Sequence, residues 1–163
     1  MTHLEIEYKT LLTKDEFNRL NSQLSHVTPV TQTNYYFDSD NFDMKAHRMS
    51  LRIRTLPNRA EITLKFQKKL VIWNTTMILS VADAKEIIKS GQFPEVDFLK
   101  LIEENGVKLS SLKNFGSLTT TRRETMTDIG LMALDSNQYA DIKDYELELE
   151  VENAEKGKKD FDN

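Results

Sequence analysis

Charged side chains recur at every second position in several segments that are otherwise apolar. In the first of these segments the charges alternate with Ile6 and Tyr8. The charged residues are Glu5, Glu7 and Lys9, then Arg52 and Arg54, and finally Glu146, Glu148 and Glu150. Because successive side chains of a β-strand point to opposite faces, each of these sets would share one face of a strand.

The segregation of the charges by sign suggests two complementary binding surfaces. Carboxylate oxygens are the ligands that Mg²⁺ and Mn²⁺ prefer, whereas arginine and lysine bind phosphate oxygens. Carboxylates at successive positions of one face repel each other unless a positive group lies between them. If the strands formed a barrel with these faces inward, burying so many charges would cost stability unless a polyanion and cations filled the interior. Spacing alone therefore favours a site for a polyphosphate and a divalent cation.

A solvent-facing sheet is the alternative explanation of the same pattern. An antiparallel sheet with one wet face also alternates apolar and polar residues, and a run of charges is usually solvated. Such faces usually mix charges with Ser, Thr, Asn and Gln, so the separation of arginines from glutamates favours binding. At this point both explanations stand.

The elements that would position these residues follow the order strand, helix, strands, two helices, strands. Thr13 and Glu16 form a capping-box pattern that predicts the start of the first helix, and Ser80 and Gly91 bound the second. The apolar run "LVIW" at 70–73 is typical of a buried strand. The pattern predicts an α+β fold with a mainly antiparallel sheet.

Bulk composition excludes several other classes. The chain has 163 residues, a formal net charge of -4 and no cysteine. This length is typical of one domain. The negative net charge argues against a general nucleic-acid binder. Without cysteine the chain can form neither disulfides nor thiolate metal sites. No apolar run approaches the roughly 20 residues of a membrane span, and no signal-peptide pattern opens the chain. We therefore expect a cytoplasmic protein that binds neither membrane nor nucleic acid.

The motifs resemble those of the CYTH superfamily, the triphosphate tunnel metalloenzymes. "EIEYK" matches the ExExK signature of that family, and "YYFDS", "LRIR", "ITLK", "FGSLTTTRRE", "MALD" and "YELELEVE" follow in the family's order. The resemblance runs from Glu5 to about Glu152 and is strongest to short bacterial members that are often labelled adenylate cyclases. It implies an antiparallel eight-stranded β-barrel, the triphosphate tunnel, with a charged interior and flanking helices.

The resemblance also implies a role for each charged residue. Mg²⁺ or Mn²⁺ would be bound by Glu5, Glu7, Asp135, Glu148 and Glu150. The phosphates would be bound by Lys9, Arg52, Arg54, Lys65 and Arg122, where strand parity favours Arg122 over Arg123. The candidates for a catalytic carboxylate that positions the attacking water are Glu146, Glu148 and Glu150, and the sequence does not choose between them.

The implied activity is metal-dependent hydrolysis of an inorganic or organic triphosphate, by a monomer or homodimer whose partner is that small molecule. Two alternatives are a class IV-like adenylate cyclase and a non-catalytic module that binds nucleotides or polyphosphate. The cyclase would need a base-binding site near the tunnel mouth, and the sequence shows no feature that supplies one.

The sequence departs from the family pattern at three places. Trp73 and Asn74 stand where relatives carry an acidic residue, which predicts a weaker acidic site on that strand, and Asn34 stands where many carry Asp. The chain ends at "KGKKDFDN", so we expect residues 1–163 to form a single CYTH domain that lacks its C-terminal helix. Residues 35–37, "YYF", are predicted to be strand and core residues rather than substrate contacts.

Overall fold

A computed structural model describes residues 6–151 of the chain. The elements within this range follow the predicted order, with one additional short helix between the second and third strands. They are β1 (Ile6–Leu12), α1 (Lys14–Gln23), β2 (Val30–Asp38), α2 (Asp43–Ala46), β3 (Met49–Thr55), β4 (Ala60–Lys68), β5 (Val71–Leu79), α3 (Val81–Ser90), α4 (Asp97–Glu104), a 3₁₀ turn (Leu109–Ser111), β6 (Lys113–Met126), β7 (Leu131–Tyr139) and β8 (Ile142–Val151). None of the helices in the described range is long and apolar enough to cross a membrane.

The strands form an eight-stranded antiparallel sheet with flanking helices, which confirms the predicted α+β class. The strand order is β1-β8-β7-β6-β2-β3-β4-β5. Because β1 and β5 stand at the two ends of this order, hydrogen bonds among the described residues do not close the sheet into a barrel. The triphosphate tunnel therefore stays a prediction.

Contacts divide the chain into two compact units. The described part of the first unit comprises residues 6–31 and 119–151, and the second comprises residues 32–118. The first unit contains β1, α1, β7, β8 and most of β6, and the second contains β3 to β5, α2 to α4 and most of β2. The organisation of the chain as a single domain stays a prediction.

The core of the second unit lies on the apolar face of its strands. Ile53 and Ile62 are cross-strand partners and are completely buried, and Leu99 and Ile102 of α4 belong to the same buried cluster. Burying each such side chain stabilises the fold by about 1.5–3 kcal/mol. Since alternation places Arg52 and Arg54 on the other side of β3, this core fixes the face on which both arginines lie.

In the second unit, α3 begins after Ser80 and ends before Gly91, which confirms both predicted helix caps. The backbone N–H of Asp83 donates to the Ser80 hydroxyl at 3.0 Å, and Gly91 ends the helix with φ of 72°. The left-handed conformation at Gly91 costs a glycine little, which explains why the helix stops there.

Helix α1 is anchored to the strands of the first unit. The capping box is confirmed, because the Glu16 N–H donates to the Thr13 hydroxyl at 3.2 Å and the Thr13 N–H donates to the Glu16 carboxylate at 3.0 Å. Phe17 stacks on Tyr145 of β8 with ring centroids 4.5 Å apart. The Arg123 guanidinium donates to the Asn21 side chain at 2.7 Å and to the backbone oxygen of Val27. Arg123 therefore holds the end of α1.

The prediction that residues 70–73 form a buried strand is wrong. Leu70 lies in the turn before β5 and is 99% exposed, and Val71, Ile72 and Trp73 are exposed as well. Among the described residues β5 pairs with β4 alone, so it is an edge strand of its unit. An uncharged apolar run shows that a segment favours a strand, but it does not show whether a second layer covers that strand.

Candidate functional site

The predicted acidic residues of the first unit share one face of its sheet. In the strand register Glu7 lies opposite Glu150, and Lys9 lies opposite Glu148. Directly opposed residues of an antiparallel pair share a face. The same register brings together Glu7, Lys9, Arg122, Glu124, Asp135, Glu146, Glu148 and Glu150. We call this set the acidic face; the predicted ligand Glu5 lies outside the described residues.

Arg122 is bound by the carboxylates around it. Its Nε and Nη2 donate to the two oxygens of Asp135 at 2.7 and 2.8 Å, and the Asp135 side chain is 5% exposed. Nη2 also lies 3.4 Å from Glu148, and Nη1 lies 3.7 Å from Glu124. The hydrogen bonds to Asp135 are the main reason that the pKa of Arg122 lies above its ordinary value, and such bidentate pairs are strong. The guanidinium thus neutralises part of the acidic face, and its predicted contact with phosphate stays a prediction.

Glu148 and Glu7 form a close pair of carboxyl groups. Burial raises the pKa of Glu148, and a hydrogen bond with Glu7 together with the charge of Glu7 raises it further, while Arg122 and Lys9 oppose the shift. Two neighbouring carboxylates cannot both ionise cheaply without a proton or a cation between them. The pair therefore has the electrostatics of a site for a positive ion.

A buried polar network continues the acidic face toward Glu146. The Thr120 hydroxyl donates to the Asn137 side chain at 2.6 Å, and the Asn137 amide donates to Asp144 at 2.9 Å and to Glu146 at 3.1 Å. Lys9 approaches Glu146 only to 3.9 Å and is largely exposed. Thr120 and Asn137 were not predicted to be site residues. Asn137 has the same strand parity as Asp135, and that parity is the signal in the sequence that points to it.

The oxygen donors of the acidic face fit a hard divalent cation by their chemistry. Within residues 6–151, no three Asp, Glu or His side chains lie close enough to one another to hold a metal ion together. The paired Glu7 and Glu148 are the described residues best placed to begin such a site. The metal-ligand assignment, including Asp135 and Glu150, stays a prediction.

The second unit carries the predicted basic residues on one face of its own strands. Arg54 lies opposite Asn34 and donates its Nε to the Asn34 side chain at 2.9 Å. Lys65 lies opposite Asn74. The Nε of Arg52 is buried and has no hydrogen-bond partner in the described part of the chain. Since a buried donor without a partner costs stability, Arg52 is suited to an anion that accepts from it.

Comparison with known sequences and structures identifies the family. Residues 3–163 match the family described as "CYTH domain". The chain belongs to the CYTH family. A Bacillus subtilis (strain 168) protein named "Putative triphosphatase YjbK" is 33% identical over 161 residues, which cover 98% of this chain and 83% of that protein.

Two solved structures show the same fold as this CYTH chain. A Bacillus halodurans protein described as a putative adenylate cyclase is 34% identical, with a TM-score of 0.81 over 98% of this chain and 86% of that one. A Hippeastrum protein, HpAC1, described as a putative adenylyl cyclase with a dominant triphosphatase activity, gives a TM-score of 0.74 at 19% identity over 99% and 85% of the two chains. The second likeness concerns the fold alone.

The sequence departures of this CYTH chain have definite places in its second unit. Asn34 is buried and accepts the hydrogen bond from Arg54, so the amide fills a hydrogen-bonding role at that position. Asn74 shares the face of Lys65, whereas the exposed Trp73 lies on the opposite face of β5. The residues 152–163, to which the predicted loss of a C-terminal helix refers, lie outside the described range.

Proposed function

We propose that this CYTH domain hydrolyses a triphosphate with the help of Mg²⁺ or Mn²⁺. The observation that carries the proposal is the segregation of the charged residues by sign. The acidic face holds the paired carboxyl groups of Glu7 and Glu148. The basic face, formed by Arg52, Arg54 and Lys65, holds the buried Arg52 Nε without a hydrogen-bond partner among the described residues. Membership of the CYTH family and the similarity to the protein named "Putative triphosphatase YjbK" support it.

The residues of the chain would divide the work between binding and chemistry. Arg52, Arg54 and Lys65 would hold phosphate oxygens and counter their negative charge. A divalent cation would neutralise developing charge and lower the pKa of a bound water. Glu7 and Glu148 would contribute ligands to it, while Glu146, which accepts a hydrogen bond from the Asn137 amide, would orient the water.

The test is phosphate release from tripolyphosphate, ATP and thiamine triphosphate, with Mg²⁺ or Mn²⁺ and with EDTA. We expect Glu7→Gln and Arg52→Ala to lower kcat/KM about 100-fold or more, because each removes a charge placed for binding or catalysis. Glu86→Gln and Arg59→Ala are matched controls at exposed positions outside both faces. Full activity of Glu7→Gln and Arg52→Ala would contradict the proposal.

Adenylate cyclase activity is the second candidate, because a relative of known structure at 34% identity is described as a putative adenylate cyclase. It predicts cyclic AMP and pyrophosphate from ATP, where the triphosphatase releases orthophosphate. Both products are measured in the same incubation. Metal-dependent binding without any product would favour the non-catalytic binding module instead. Cytoplasmic location, a small-molecule partner and a monomeric or homodimeric state remain predictions.

A further inference from the structure

The hairpin that joins β4 to β5 in the second unit presents an apolar tip to solvent. Lys68 pairs with Val71, so the turn between the two strands has only two residues. Leu70 in that turn is 99% exposed, and residues 71–73 are 50–59% exposed. Large apolar side chains on a protein surface normally occur singly, and a contiguous group of them is typical of an interaction site. We call residues 68–73 the hairpin tip.

The turn is built from residues that its geometry does not favour. Lys69 has φ of 57°, in the left-handed region that glycine and asparagine adopt most readily. Two-residue hairpin turns therefore prefer Asn-Gly, or a glycine at the first position. Lys69 and Leu70 are both exposed, so their side chains contribute little to the packing of the fold. Because backbone strain of this kind is concentrated at functional sites, these two side chains are suited to a contact outside the chain.

Cationic side chains surround the hairpin tip. The N–H of Gln67 donates to the backbone oxygen of Arg48 at 3.0 Å, and Gln67 lies opposite Ile72, so Arg48 is beside the tip. The Arg48 N–H in turn donates to the backbone oxygen of Lys45 at 3.0 Å. The exposed cations at this end of the strands are Lys45, Arg48, Lys68 and Lys69. None of the four has an ion pair within residues 6–151.

The charge of this part of the chain is opposite to that of the whole. Residues 44–82 contain eight Lys and Arg residues and one acidic residue, Glu61, whereas the formal net charge of the chain is -4. Glu61 lies opposite Ile78, at the end of the hairpin away from the tip. Cations without compensating carboxylates attract a negatively charged surface.

We propose that the hairpin tip docks this domain on a bilayer surface that contains anionic lipid. Leu70 and Trp73 would enter the interface between headgroups and acyl chains, where tryptophan is enriched in membrane proteins. The four cations would lie near lipid phosphates, whose negative surface potential attracts Lys and Arg. Nucleic acid would also attract the cations, but an aliphatic side chain such as Leu70 offers no ring on which a base stacks, so the apolar tip favours a bilayer.

A contact of this kind is peripheral and does not rest on the proposed function. The expectation that the protein binds no membrane came from the lack of an apolar run long enough to span one. A surface contact requires no such run, because a few apolar side chains and attraction between charges are sufficient for reversible binding. Since the charges are exposed, the binding should weaken as the salt concentration rises.

Trp73 is the only tryptophan of the chain, so its fluorescence reports directly on the hairpin tip. Vesicles of equal parts phosphatidylcholine and phosphatidylglycerol should shift the emission of the wild type to shorter wavelength and protect it from quenching by acrylamide. Vesicles of phosphatidylcholine alone should leave the emission unchanged. The mixed vesicles should also have no effect in about 1 M salt, where the Debye length falls to about 3 Å.

Flotation of the same vesicles through a density gradient measures the bound protein, because vesicles rise while protein aggregates sink. Lys68→Gln combined with Lys69→Gln should weaken binding about 25-fold, since each cation near an anionic surface contributes about fivefold. Leu70→Ser should weaken it about tenfold by removing the apolar side chain from the turn. Lys85→Gln combined with Lys89→Gln, which removes two exposed lysines of α3, is the matched control and should bind as the wild type does.

The outcomes separate the hairpin tip from the proposed active site. Arg52→Ala should bind the mixed vesicles as the wild type does, and the variant that lacks both Lys68 and Lys69 should hydrolyse tripolyphosphate at the wild-type rate. Vesicle binding that is lost in Arg52→Ala but kept in the double lysine variant would assign the lipid phosphates to the basic face and overturn the proposal. Absence of flotation, or flotation without a change in the emission of Trp73, would overturn it as well. Binding of poly(U) RNA that depends on the two lysines, without vesicle binding, would overturn it in favour of nucleic acid.

Discussion

Replacing Arg122 with glutamine would remove the cation that lies among Asp135, Glu148 and Glu124. Breaking a buried ion pair by deleting one partner costs about 3–5 kcal/mol, because the other charge stays buried without compensation. The Asp135 side chain is 5% exposed, but that of Arg122 is 30% exposed, so solvent screens part of the pair. We therefore expect the free energy of unfolding to fall by about 2–3 kcal/mol at pH 7 without metal. For a chain of this size that lowers Tm by roughly 5–10 °C.

Urea unfolding followed by far-UV circular dichroism in EDTA measures this loss. Lys9→Gln is the matched control, since Lys9 is 58% exposed and lies 3.9 Å from Glu146, and an exposed pair contributes at most about 1 kcal/mol. A double-mutant cycle of Arg122→Gln with Asp135→Asn should give a coupling free energy of about 2 kcal/mol. The reasoning is refuted if Arg122→Gln loses no more stability than Lys9→Gln, or if the cycle shows no coupling.

Three further predictions concern the same unit. The pKa of Glu148 is raised above its ordinary value of 4.5, so the protonated carboxyl stabilises the fold below pH 4.5 and this stabilisation is lost as the pH rises through the raised pKa. In metal-free buffer the free energy of unfolding, measured in urea between pH 4 and pH 8, should therefore fall less with pH in Glu148→Gln than in the wild type. Millimolar Mg²⁺ or Mn²⁺ should raise the Tm of the wild type by a few degrees in a thermal melt, and Glu7→Gln should abolish the rise. Gly130→Ala should lower the free energy of unfolding by about 3 kcal/mol in the same urea assay, because φ is 155° and a Cβ atom would lie 2.3 Å from the backbone oxygen of Glu150; a loss below 1 kcal/mol would contradict it.

Strand faces could be predicted from the sequence because the side-chain period of a strand is fixed. Once "LRIR" and "YELELEVE" were assigned to strands, parity alone placed Arg52 with Arg54, and Glu146 with Glu148 and Glu150. Parity also separated Arg122 from Arg123, and the structure uses Arg123 to hold α1. Helix ends were predictable for the same local reason, since a cap and its N–H donor lie within a few residues.

Pairing between strands could not be predicted. The bidentate bond from Arg122 to Asp135 depends on the register of β6 against β7, and no local pattern specifies that register. The network of Thr120 with Asn137 depends on the same register.

The exposed edge strand β5 has a consequence for the behaviour of the protein in concentrated solution. Its sequence, VIWNTTMIL, contains no charged residue, glycine or proline, and its outer backbone groups resemble those onto which a foreign strand adds. Lys68 at the end of β4 and Lys69 in the turn before β5 act as the charged gatekeepers that discourage such addition. Self-association should therefore begin at β5, and loss of these two lysine charges should promote aggregation while leaving the fold of each molecule intact.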